Sequence, residues 1–231
     1  MIKNVQRGSI TRALTVALAS GLFLAFAASA SLAVIEYSDD QRETIVELIE
    51  QLEERHYAKL TYDDELSSQH LDNYIDSLDG GKMFFTASDL AEFEQYRNVL
   101  DDQSHDGQLD AGYAIFNRFQ ARLEARLEKV LADLDGTVDA MDFTVDEVYV
   151  LNGEDRQWAS NDAELDERWR KHLKNQALSL KLAEKPQDEI APTLEKRYQN
   201  QLKRVQQYNS QDVFQIYANA ITELYDPHTN Y

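Results

Sequence analysis

The sequence contains no cysteine. That one absence removes disulfides, thiolate metal sites, cysteine nucleophiles and the lipid-bearing cysteine of a lipoprotein anchor. Glycine (8) and proline (3) are scarce in 231 residues, which disfavours a turn-rich all-β fold and favours long helices. Basic residues are in short supply too: 23 Lys and Arg stand against 42 Asp and Glu, a formal net charge of -19. A surface this acidic repels phosphate backbones and anionic head groups, so nucleic acid is excluded as a general partner. An acidic surface keeps an exported protein soluble, or offers a docking face for a basic partner. Long apolar runs are missing except for one, Ala13 to Ala28.

That run follows Lys3, Arg7 and Arg12, and no acidic residue precedes Glu36. Small residues after it provide two cleavage frames, Ala28-Ser29-Ala30 and Ser31-Leu32-Ala33. The layout is that of a secretory signal peptide over residues 1–33, with an uncleaved membrane anchor as the alternative. Cleavage takes the charge from -19 to -22 by removing three cations, and implies an exported, periplasmic chain with no stable membrane insertion.

What is present after residue 34 is helical in pattern, with 43% hydrophobic residues in the whole chain to supply a core. Ser38 is a helix N-cap followed by Asp39 and Asp40, and Ile45, Leu48, Ile49 and Leu52 share one helical face. A second helix is expected from Asp63 to Leu78, stopped by Gly80-Gly81. Thr86 with Asp89 opens a third, in the pattern of a capping box. Leu109, Tyr113, Phe116, Phe119, Leu123, Leu127, Val130 and Leu134 step by 4, 3, 3, 4, 4, 3 and 4, close to the helical period. Such a stripe is a core face first. If the domain binds a helix or an extended peptide, exposed edges of Phe116 and Phe119 are the expected contacts.

Residues 136–160 are harder to assign: Phe143-Thr144-Val145 and Val148-Tyr149-Val150-Leu151 have strand-like composition amid loop residues, and a surface excursion is expected. Helices resume around Leu165–Leu180, Ile190–Val205 and Val213–Leu224, with a break at Pro186. The fold class is therefore all-α, an irregular multi-helix domain over residues 34–225, with 226–231 beginning a linker.

Chemistry is hard to find. His56, His70, His105, His172 and His228 make no metal-ligand spacing, and there is no nucleophile elbow, phosphate loop or dinucleotide fingerprint. Asp101-Asp102 and Asp63-Asp64 read as solvated loops or caps. No cofactor, metal or catalytic residue is assigned. In the tail, Asp226-Pro227 ends the last helix, and His228 has no identifiable nucleophile beside it.

The ordered set of residues carries a resemblance where single motifs do not. Arg55-His56-Tyr57, Leu71-Asp72-Asn73-Tyr74, Leu78-Asp79, Ala87-Ser88-Asp89, Tyr113 with Phe116 and Asn117, Trp158, Ala163-Glu164-Leu165, Trp169, Lys174, the Leu178–Leu182 stretch, Arg197-Tyr198, Asn209–Phe214, Ala220 and Asp226–Tyr231 fall in sequence. Together they resemble the N-terminal domain of tail-specific (carboxy-terminal processing) proteases. The resemblance implies a periplasmic serine endopeptidase whose substrates are proteins with non-polar C-termini. It implies a PDZ domain that holds the substrate tail and a Ser/Lys dyad that cuts. It also implies a helical N-terminal domain that walls in the substrate and can dock a helical-repeat lipoprotein adaptor. No Ser or Lys here matches the catalytic motif, and the likeness runs to Tyr231, ahead of the PDZ and protease regions. The chain by itself is expected to be inactive, as a fragment or a truncated product. A stand-alone helical binding or adaptor module is the alternative.

Overall fold

A computed structural model describes residues 34–57 and 59–226. The expected export signal and the tail after Asp226 lie outside these. Among the described residues there are nine α-helices: α1 (Asp39–Arg55), α2 (Asp64–Asp79), α3 (Ala87–Phe93, continuing as a 3₁₀ turn over Glu94–Tyr96), α4 (Leu100–His105), α5 (Asp110–Ala132), α6 (Leu134–Asp139), α7 (Asp162–Leu182), α8 (Gln187–Val205) and α9 (Ser210–Tyr225). They contain no strand. An isolated parallel bridge joins Thr86 to Ala159. The all-α expectation holds.

Local chemistry sets most helix starts. Ser38 accepts from the Gln41 amide while the Gln41 side chain accepts from the Ser38 amide at 2.9 Å, which satisfies two donors that no helical carbonyl can reach. Asp63 accepts from the amides of Glu65 and Leu66. Asp89 accepts from both the amide and the hydroxyl of Thr86. Asn161 and Asn209 cap α7 and α9. At the far end, Asp226 is extended (φ -156°, ψ 115°), as a residue before proline must be.

The longest helix, α5, is the element shared by two groups of neighbours. On one side α1, α2, α4 and α9 pack together, and α2, α4 and α9 touch α5; on the other, α8 packs on α5 and carries α6 and α7. Gly112 makes the α5–α9 crossing possible. A Cβ at that position would sit 2.5 Å from the Tyr217 ring, and the Tyr74 hydroxyl donates to the Gly112 carbonyl at 3.0 Å. Tyr74 and Tyr217 meet edge to face with centroids 5.3 Å apart.

One reading of the sequence changes. Asp101 is not a solvated loop residue: it lies buried in α4, beside the core residues Leu100 and Ser104. A helix of six residues is too short to show a period, so its apolar side went unread. The strand-like stretches at 143–151 form no sheet. They belong to an irregular excursion over 140–161 that rides on α7.

A candidate interaction surface on the 140–161 excursion

The two residues expected at a binding surface lie inside the protein. Phe116 is fully buried and Phe119 nearly so. Their rings lie 6.1 Å apart; Phe116 meets Tyr208 edge to face, and Phe119 meets Phe84 and Phe85. The expectation of exposed ring edges is corrected: α5 is covered on both sides, so its stripe has no free margin.

The exposed apolar side chains lie elsewhere. Val148 is 77% exposed, Leu151 73% and Val145 54%, while Glu147 and Tyr149 between them turn inward. This alternation is the two-residue period of extended chain, with Val148 and Val150 outward. No main-chain group of residues 146–150 pairs with a strand among the described residues.

The excursion is irregular in path but tightly held. Glu147 accepts from Arg170 and from the half-buried Lys174 of α7. These bonds pull its carboxyl down to about 2. Arg156 is the central staple. Its Nε and Nη2 donate to the Val150 carbonyl at 3.0 and 2.6 Å, and Nη2 reaches the Tyr149 hydroxyl and the Leu151 carbonyl. Nη1 donates to the Gly81 carbonyl at 2.6 Å and lies 3.1 Å from the Met83 sulfur. One guanidinium thus satisfies carbonyls that have no ladder partner and ties 149–156 to the turn after α2. Arg168 donates to the Lys82 and Gln157 carbonyls from the other side. Gly153 permits the contact, because a Cβ there would collide with the Gly80 carbonyl.

A polar chain continues inward from the staple. The Tyr149 hydroxyl meets His172 Nδ1 at 2.7 Å, His172 Nε2 meets the Gln176 amide at 2.6 Å, and Gln176 Oε1 accepts from Arg197 at 2.7 Å. Burial, with Arg156 and Arg197 nearby, lowers the His172 pKa to about 4, so the ring is neutral near pH 7. Clefts of about 610 and 270 Å³ flank the excursion. Val145, Glu147, Arg170 and Lys174 help line the first; Val148, Val150, Arg156 and Arg168 help line the second.

Nothing in this arrangement activates a nucleophile or a water. No group of three metal-binding side chains comes together among the described residues; His70 and His105 border Tyr62 from two sides, and His172 lies with Tyr149. The geometry suits holding a polypeptide against a stiff, partly apolar ridge. Composition marked Val148–Leu151 as unusual, but the cations that staple it, from Arg156 to Lys174, lie 5 to 23 residues after Leu151 and carry no sequence signal.

Replacing Arg156 with Met leaves the carbonyls of Gly81, Val150 and Leu151 without their donor. The expected result is a loss of about 2–3 kcal/mol and faster chymotryptic cleavage at Tyr149 and Leu151, with the helical signal retained. An unchanged cleavage rate would show that the ridge does not depend on the staple.

Comparison with known proteins identifies the family. The family described as "Tail specific protease N-terminal domain" matches residues 48–231. The tail-specific protease of Haemophilus influenzae (strain ATCC 51907 / DSM 11121 / KW20 / Rd) is 34% identical over 189 residues, which is 78% of this chain and 26% of that protein. The chain thus spans about a quarter of the length of this relative. No helix of the described residues is long and apolar enough to cross a membrane.

Proposed function

The chain belongs to the tail-specific protease N-terminal domain family, and from that premise we propose that it is the substrate-enclosing, adaptor-docking domain of a periplasmic serine endopeptidase acting on proteins with non-polar C-termini. The export signal at residues 1–33 brings it to the periplasm. The chemistry belongs to a PDZ domain and a Ser/Lys dyad that lie outside this sequence. The domain itself binds polypeptide without cutting it. The observation that carries this reading is the stapled ridge: Val148 and Leu151 are exposed on a segment fixed to α7 and to the turn after α2. A rigid apolar edge holds unfolded chain at little entropic cost to the binder, because it is already ordered.

The test uses the purified chain and a fluorescein-labelled, permanently unfolded polypeptide with an apolar C-terminus. Anisotropy should report binding with no cleavage products. The Val148→Asp/Leu151→Asp double variant should bind at least tenfold more weakly while keeping its far-UV circular dichroism. Specific cleavage by the homogeneous chain, or equal binding by the double variant, would defeat the proposal.

A further inference from the structure

In a chain with nearly two acids per base, half of the Lys and Arg side chains of the described residues pair with a carboxylate. Arg97 pairs with Asp72, Arg118 and Arg122 with Asp89, Arg126 and Lys129 with Asp166, Arg170 and Lys174 with Glu147. Four of the cations without an ion pair gather in the second half of α8. Lys196, Arg197, Lys203 and Arg204 fall within nine residues, all exposed, and no Asp or Glu occurs from 196 to 211. None of the four forms an ion pair among the described residues; Arg197 donates to Gln176 Oε1 instead.

Helical geometry gathers them. Lys196, Asn200 and Lys203 stand at i, i+4 and i+7 on one stripe, with Arg197 and Arg204 alongside. The group spans ~12 Å of helix axis at 1.5 Å per residue. Lys203 and Arg204 fit the negative end of the α8 dipole. Lys196 and Arg197 sit mid-helix and gain nothing from it. Four like charges this close repel one another in the absence of a partner.

We propose that this face of α8 is a docking site for an acidic polypeptide segment, whose carboxylates would occupy the four cations while Asn200 bonds its main chain. Charge complementarity selects an anionic occupant. The face has no exposed large apolar side chain between 196 and 211 to enter a bilayer, and the net charge of -19 opposes approach to anionic lipid. The site is remote from chemistry and does not depend on the protease reading.

The experiment measures anisotropy of a fluorescein-labelled 20-residue glutamate-rich peptide with the full chain, over a salt series. The wild-type chain should bind it, with affinity falling steeply as salt rises. The Lys196→Gln/Arg197→Gln/Lys203→Gln/Arg204→Gln variant, whose changes are all on exposed positions, should bind at least tenfold more weakly and lose most of the salt dependence at an unchanged melting temperature. A valine-rich unfolded polypeptide should bind both chains alike, which separates this site from the ridge. Absent binding by wild type, equal binding by the variant, or tighter binding to phosphatidylglycerol vesicles than to the peptide overturns the proposal. So does sedimentation showing that the same substitutions dissolve a dimer, since the occupant would then be the acidic face of a second copy.

Discussion

Phe116→Ala should lower the stability of the chain by about 3–5 kcal/mol, the usual cost of removing a buried aromatic ring. Phe116 has no exposed surface, and its ring packs against Phe119 and edge to face on Tyr208. Its helix touches both α9 and α8. Neighbours held from both sides have little freedom to collapse into the hole, which places the cost toward the upper end of the range. A single domain has only about 5–15 kcal/mol to lose, so the variant should be partly unfolded at 37 °C. Urea unfolding followed by circular dichroism is the check. The midpoint should fall sharply with the slope unchanged, and Phe116→Leu should recover more than half the loss. A midpoint shift too small to resolve would put the ring back at the surface, where the sequence allowed it as a contact.

That ambiguity shows where sequence reading stops. The period from Leu109 to Leu134 defines a helix and its buried side, because a 3.6-residue repeat of large apolar groups has few other uses. It does not say how wide the covered sector is. In the folded chain helices flank α5 on two sides, so no margin of the stripe stays free. Caps were legible for a related reason: Ser38, Asp63, and Thr86 with Asp89 act on amides within three residues. α4 was not legible, since six residues offer too few turns for a pattern. The ridge at 145–151 was half legible. Its composition is that of a strand, but its carbonyls are met by the side chain of Arg156 instead of a neighbouring strand, and that substitution is a tertiary event. The cations of α8 were visible as residues only; that none of the four meets a carboxylate is decided by the tertiary fold.

Acidification should weaken the fold well before its carboxylates titrate, and His70 is the main cause. The ring is fully buried, with Nε2 3.3 Å from the Tyr217 carbonyl and Nδ1 2.6 Å from the Tyr62 hydroxyl. A carbonyl only accepts, so Nε2 carries the hydrogen and Nδ1 receives the one from Tyr62. A second ring proton would face that hydroxyl in a fully buried site, and burial pushes the pKa from 6.5 down to about 3. In the unfolded chain the same ring titrates near 6.5. Between these values the unfolded state binds one more proton, so stability is complete above about pH 6.5 and declines as pH falls toward 3. The slope approaches ~1.4 kcal/mol per pH unit, or roughly 2 kcal/mol between pH 6.5 and 5. His172, lowered to about 4, acts with the same sign. Asp79 and Glu124, raised by burial, act with the opposite sign, while Asp89, held down by its hydrogen bonds, adds to the loss at lower pH. Those carboxylates are shared by the wild type and a His70 variant, so the difference between the two isolates His70. His70→Gln keeps a donor and an acceptor but cannot titrate, so urea unfolding at pH 7, 6 and 5 should show its slope reduced by about one proton, whatever its absolute stability. Equal slopes in the two proteins would mean that His70 is protonated, or solvated, in the folded state. Because His70 joins α2 to α9 through Tyr217, the acid-weakened contact is one of those that hold the last helix in place.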